Sequence, residues 1–179
     1  YAARIARKKT LMDEKIAAAD LDTGVLLVLT GNGKGKSSSA FGMVARALGH
    51  GLKVGVVQFI KGRTDTGEEA FFSAHPNVTW HVMGDGFTWD TQNREADTRS
   101  AETGWAVAQA MLQDPSFDLV VLDELTYTIT YKYLDGDMII RDLLARPDMQ
   151  HVVVTGRGAS DGLLAIADTI TELQPTKHA

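Results

Sequence analysis

The apolar run Val25-Leu26-Leu27-Val28-Leu29 leads directly into Thr30-Gly31-Asn32-Gly33-Lys34-Gly35-Lys36-Ser37-Ser38. No other feature restricts the fold of this chain so tightly. A buried strand feeding a glycine-rich turn and then Gly-Lys-Ser wraps the backbone around a phosphate chain, because glycines let successive N–H groups converge on phosphate oxygens. Phe41, Val44, Ala45 and Leu48 follow at helical spacing. That spacing predicts a helix starting near Lys36, with its positive N-terminus aimed at the anion. Thr30 stands where the pattern G-x-x-x-x-G-K-S has glycine. The alternative, a glycine-rich turn without a ligand, does not explain why strand, Gly-Lys-Ser and amphipathic helix occur in that order. The motif predicts a nucleoside triphosphate held by Gly31, Asn32, Gly33, Lys34, Gly35, Lys36, Ser37 and Ser38. In this arrangement Lys36 is the point charge and Ser37 the Mg²⁺-ligating hydroxyl.

The rest of the chain alternates strand and helix patterns. Apolar strand candidates are Val25–Leu29, Lys53–Ile60, Val78–Met83, Phe117–Leu122, His151–Thr155 and the weaker Asp168–Leu173. Helical patterns cover Lys36–Leu48, Arg94–Leu112, Met138–Ala145 and Ser160–Ala167. Strands that are apolar on both faces and separated by helices predict an α/β fold, a mostly parallel sheet of about six strands with helices on both faces. This is the architecture of phosphate-loop NTPases of the RecA-like kind. The stretches Lys61–Asn77 and Gly84–Asn93 carry no periodic pattern, and loops of that length in a compact domain are usually functional.

Residues 1–22 read as a separate N-terminal arm and 23–179 as the α/β domain. Arg4, Arg7, Lys8, Lys9 and Lys15 against Asp13, Glu14 and Asp20 give residues 1–20 a charge of +2, leaving −7 of the total −5 on the remainder. Ile5, Met12, Ile16 and Ala19 fall roughly on one helical face, which reads as a basic amphipathic helix or as a solvated arm. A net charge of −5 provides no general attraction to nucleic acid or to an anionic membrane. With no cysteine there are no disulfides or thiolate metal sites, in keeping with a cytoplasmic protein, and no apolar run is long enough to span a bilayer.

A second phosphate-handling element is Phe117 to Glu124, an apolar strand ending in Asp123-Glu124. This is the Walker B pattern, in which Asp123 holds Mg²⁺ through water beside Ser37. Glu124 has two possible roles: positioning an attacking water, as in a hydrolase, or ligating metal or ribose. Thr155-Gly156-Arg157-Gly158 closes the fifth strand candidate at its carboxyl end, where open α/β sheets bind ligands, so Arg157 is a candidate phosphate clamp. Gln58 and Lys61 end the second strand toward the same crevice, as ligand contacts or as a polar strand exit. The five histidines lack metal-ligand spacing. From these residues alone the chain is a Mg²⁺–ATP-binding α/β domain, whether transferase, conventional NTPase or nucleotide-gated binding module.

Several stretches together resemble one family, the ATP-dependent corrinoid adenosyltransferases of cobalamin biosynthesis and salvage. They are Thr30 to Ser37, Gly55 to Gly62, Gly86-Phe87-Thr88-Trp89-Asp90-Thr91-Gln92-Asn93-Arg94, Val121 to Tyr127, Thr155 to Gly158 and Glu172 to His178. The Phe-Thr-Trp segment is more specific than the phosphate loop. Ser37-Ser38 replaces a frequent Thr-Thr and keeps the hydroxyl. The resemblance implies transfer of the 5′-deoxyadenosyl group of ATP to the Co(I) centre of a corrinoid, with triphosphate released and ATP reversed relative to ordinary phosphate-loop hydrolases. It implies Mg²⁺ or Mn²⁺ on Ser37, Asp123 and Glu124, with Lys36, Glu124 and Arg157 serving the reaction. Phe87 and Trp89 would displace the axial ligand of Co(II) so that it can be reduced. It further implies a homodimer, a reduced flavoprotein as electron donor, and an N-terminal helix that covers the corrinoid.

Overall fold

The computed structural model describes residues 2–59, 66–83 and 94–177. Among these, helix α1 (Ala2–Ala17) precedes strand β1 (Leu26–Thr30), then come α2 (Lys36–Gly49), β2 (Val54–Gln58), α3 (Gly67–Phe72) and β3 (Val78–Val82). The chain continues through α4 (Arg94–Gln113), β4 (Leu119–Asp123), α5 (Leu125–Thr130), α6 (Gly136–Leu144), β5 (His151–Thr155), α7 (Asp161–Ile166) and β6 (Thr169–Glu172). The six strands form one sheet in the order β3-β2-β4-β5-β1-β6, and every neighbouring pair is parallel.

The alternation of side chains along each strand divides the core in two. Leu26 and Val28, Val57, Val120 and Leu122, and Val152 and Val154 pack with Trp105, Met111, Leu112, Ile139, Leu143 and Leu163. Their odd-numbered neighbours in β1 and β4, with Val54, Val56 and Val153, pack with Ala40, Phe41, Val44 and Phe72. One face of the sheet is thus covered by α4, α6 and α7 and the other by α2 and α3, which is why the strands read as continuous apolar runs.

Two helices have no amphipathic signature in the sequence. Helix α3 lies within 61–77; the Thr66 side chain caps it by accepting from the Glu69 N–H at 3.3 Å, and it buries Phe72. Helix α5 has the sequence Leu-Thr-Tyr-Thr-Ile-Thr and starts directly after the second carboxylate of β4. Helix α1 lies apart from both cores. Its described side chains are all exposed, including Ile5, Leu11, Met12 and Ile16, each at least 49% exposed.

Candidate active site

A parallel sheet gathers its strand exits on one side, so the carboxyl ends of β1, β4 and β5 converge. Because β5 lies between β1 and β4, Thr155 falls between the phosphate loop and the two carboxylates of β4. Gly33, Lys34, Gly35, Lys36, Ser37, Ser38, Glu124, Tyr127 and Arg157 line one open, mostly polar cleft of about 240 Å³.

Thr30, at the position where glycine was expected, is the last residue of β1, so it needs no unusual backbone conformation. Its Oγ1 accepts from the Ala159 N–H at 3.4 Å, tying the loop's entrance to the turn after β5. The following glycines are shaped by the segment after β6 as well as by any phosphate. Leu173 N–H donates to the Thr30 carbonyl at 2.9 Å, and Gly33 N–H donates to the Leu173 carbonyl at 2.6 Å. A Cβ on Gly31 would lie 2.4 Å from the Leu173 carbonyl oxygen, and one on Gly33 would lie 2.7 Å from the same residue's backbone. Lys36 is buried and turned inward, donating to the carbonyls of Gly31 at 2.9 Å and Gly33 at 2.7 Å. Burial pulls its ammonium below the ordinary lysine pKa; Glu124 opposes that shift, and Arg157 and Lys34 add to it. Ser37 is half-buried at the first turn of α2, beside the exposed Ser38, and Asn32 and Lys34 are also exposed.

The two carboxylates of β4 are placed differently. Asp123 is completely buried. Its Oδ1 accepts from the Thr155 hydroxyl and its Oδ2 from the Gln58 amide, each at 2.8 Å. Glu124 is half-exposed in the cleft and adopts left-handed backbone angles, φ 61° and ψ 24°, which are rare for a residue with a side chain. A cation in the cleft would therefore meet Ser37 and Glu124 directly and Asp123 only through an intermediary. Hydroxyl, carboxylate and nucleotide phosphates are the hard oxygen donors that Mg²⁺ takes, so the residues present fit that ion.

Gln58 does not project freely into the crevice. It is buried, and its carbonyl oxygen accepts from Trp80 Nε1 at 3.2 Å while its amide serves Asp123. Lys61, Phe87 and Trp89 lie outside the described residues. Arg157 is exposed at the rim, on a turn that the Thr126 hydroxyl holds by donating to the Arg157 carbonyl at 2.7 Å. A Cβ on Gly156, whose φ is +140°, would sit 2.0 Å from Thr126 Oγ1. Sequence reasoning had not singled out Tyr127 or Thr155. Burial, and then the charge of Glu124, raise the Tyr127 phenol above its usual pKa. Two of the histidines have structural roles: His151 Nδ1 accepts from the Val25 N–H at 3.0 Å, and His75 Nδ1 from the Asn77 N–H at 3.1 Å. Among the described residues no cluster of three or more His, Cys, Asp or Glu side chains could hold a metal by itself, and no helix is long and apolar enough to cross a membrane.

The profile of the ATP:corrinoid adenosyltransferase family BtuR/CobO/CobP matches residues 22–179. The chain is 62% identical over 177 residues to a corrinoid adenosyltransferase of Pseudomonas aeruginosa, covering 98% of this chain and 87% of that protein. It is 50% identical over 179 residues to the corrinoid adenosyltransferase CobA of Salmonella typhimurium and 49% identical to the corrinoid adenosyltransferase of Escherichia coli K12. Each alignment covers 100% of this chain and 91% of the relative. Among solved structures, the flagellar accessory protein FlaH of Methanocaldococcus jannaschii superposes with a TM-score of 0.51 at 11% identity, over 89% of this chain and 75% of that one. That last likeness concerns the fold alone.

Proposed function

The chain belongs to the ATP:corrinoid adenosyltransferase family, and on that premise we propose how its cleft carries out adenosyl transfer from ATP to a corrinoid. The observation that carries the proposal is the single cleft joining Gly33–Ser38 with Glu124, Tyr127 and Arg157. The cobalt of the Co(I) corrinoid is the nucleophile. Its electron pair forms the bond to the 5′ carbon of ATP, the 5′ carbon–oxygen bond breaks, and that bond's electrons leave on inorganic triphosphate.

No protein base is required, because the nucleophile carries no proton. The chain's task is to orient the nucleotide and stabilise a polyanionic leaving group. Backbone N–H groups from Lys34 onward, the N-terminus of α2, Lys36 and Arg157 collect the charge that develops on the triphosphate. Ser37 and Glu124 would hold Mg²⁺ or Mn²⁺, with Asp123 reaching it through water. When bound, the ion neutralises phosphate charge. ATP lies reversed, with its 5′ carbon turned toward the corrinoid. Phe87 and Trp89 displace the axial ligand of Co(II), which lowers the barrier to its reduction by a reduced flavoprotein. The protein works as a cytoplasmic homodimer in cobalamin biosynthesis or salvage, with helix α1 as the cover over the corrinoid.

The test is anaerobic. Protein, chemically reduced cob(I)alamin and Mg–ATP are mixed, the corrinoid spectrum is followed, and the phosphate product is identified. Adenosylcobalamin together with triphosphate is the expected result; unchanged cobalamin with orthophosphate would refute it.

A further inference from the structure

Glu124 has no chemical reason to prefer a left-handed turn, yet this backbone conformation is what starts α5 and places the carboxylate in the cleft. The turn is held by a neighbour that lies outside the cleft lining. The Glu124 N–H donates to Thr155 Oγ1 at 2.9 Å, and the same hydroxyl donates its one proton to Asp123 Oδ1 at 2.8 Å. Thr155 and Asp123 are both completely buried. A threonine hydroxyl can accept and donate at once, whereas valine, of the same shape, can do neither.

The polarity of this chain of bonds is set further back. An indole N–H can only donate, so Trp80 obliges the Gln58 carbonyl oxygen to face it, and the amide of Gln58 must then face Asp123. The relay therefore crosses the sheet from β3 through β2 to β4 and β5, and returns to the backbone at the tip of β4. We propose that Thr155 is a positioning residue for Glu124, with Gln58 and Trp80 fixing the carboxylate that orients its hydroxyl. Thr155 is also the last residue of β5, two positions before Arg157.

This inference rests on the reading that Glu124 serves the nucleotide and its metal. Thr155→Val removes the hydroxyl and keeps the shape; Thr155→Ser restores the hydroxyl. Two quantities are measured: the dissociation constant of Mn²⁺·ATP, by paramagnetic resonance without corrinoid, and kcat and KM for adenosyl transfer to cob(I)alamin. Thr155→Val should weaken Mn²⁺·ATP binding and lower kcat, each by about 10- to 100-fold. KM for the corrinoid should stay unchanged, and Thr155→Ser should recover most of both losses. Trp80→Phe keeps a ring against Phe72 while removing the donor, together with part of the indole's bulk. It should lower the same two quantities by a smaller factor, and it provides the test if Thr155→Val fails to fold. Wild-type values in Thr155→Val, or in Trp80→Phe where that variant stands alone, overturn the proposal. So does a Thr155→Ser variant as impaired as Thr155→Val. If the unmodified protein forms no adenosylcorrinoid, the reading of function fails, while the Mn²⁺·ATP measurement still decides the relay.

Discussion

The Lys36 ammonium donates to the Gly33 carbonyl at 2.7 Å, so the cation assigned to the nucleotide is already engaged inside its own loop. Its burial holds the pKa below the ordinary lysine value of 10.5. A lowered pKa means that the positive charge is lost earlier as pH rises. ATP affinity should therefore start to fall at a lower pH than an ordinary lysine would dictate. Lys36→Arg keeps its charge across that range and should flatten the alkaline limb. Lys36→Met should weaken ATP binding at neutral pH by about 2 kcal/mol, the value of a hydrogen bond to a charged group. Calorimetric titration across pH checks all three; identical alkaline limbs for wild type and Lys36→Arg would exclude Lys36 as the titrating group.

Glu124→Gly separates stability from activity. Glycine occupies φ 61° without strain, so the variant should be more stable by about 1 kcal/mol in denaturant unfolding. It should lose most adenosyl transfer along with the carboxylate. A variant that is both less stable and inactive would show that the Glu124 side chain supports the fold instead.

Gly156→Ala should lose stability and ATP affinity together. The added methyl meets Thr126 Oγ1 at 2.0 Å in a backbone conformation that side chains avoid. We expect a loss of about 2 kcal/mol or more, read from the denaturant midpoint. ATP affinity should fall as well, because the Thr126 contact with the Arg157 carbonyl is disturbed.

Removing residues 1–20 should leave the stability of the α/β domain within about 0.5 kcal/mol of the full chain, because the described side chains of this arm are exposed. Thr23 and Gly24, both bonded to the Asp148 carbonyl, stay in place. If α1 is the corrinoid cover, KM for corrinoid should rise while ATP affinity is unchanged. Matched unfolding curves and steady-state kinetics test both statements.

Phe87→Ala and Trp89→Ala should reduce turnover severely when Co(II) corrinoid and a reductant are supplied. Pre-reduced cob(I)alamin should be used at close to the normal rate. Equal impairment with both substrates would assign these residues to corrinoid binding and not to ligand displacement.

The α/β class and all six strands were legible in the sequence, because strands packed on both faces leave unbroken apolar runs such as Leu119–Leu122. The strand, glycine-rich turn and helix of residues 26–49 were legible because Gly-Lys-Ser stands between an apolar run and an amphipathic pattern. Helix α5 was not, since Thr126, Tyr127, Thr128 and Ile129 favour strands. What turns the chain there is the left-handed residue before them, held by a hydroxyl 31 positions away in sequence. Six residues are also too few to show a helical period, which hid α3. Sheet order is invisible to any local pattern, and it is sheet order that puts Thr155 between β1 with its glycine-rich turn and β4 with its two carboxylates.

The contact between Leu173 and the phosphate loop bears on how the protein is made. Gly31 and Gly33 are synthesised well before the backbone that closes against them, which is Leu173, 140 residues after Gly33. Until β6 has added to the edge of β1, the loop lacks one wall and the Gly33 N–H lacks its acceptor. A chain synthesised only as far as β5 would therefore carry the glycine-rich motif without the wall that closes against it. Closure of the loop thus waits for β6, which makes a closed loop a report that the chain from β1 to β6 has folded as one unit.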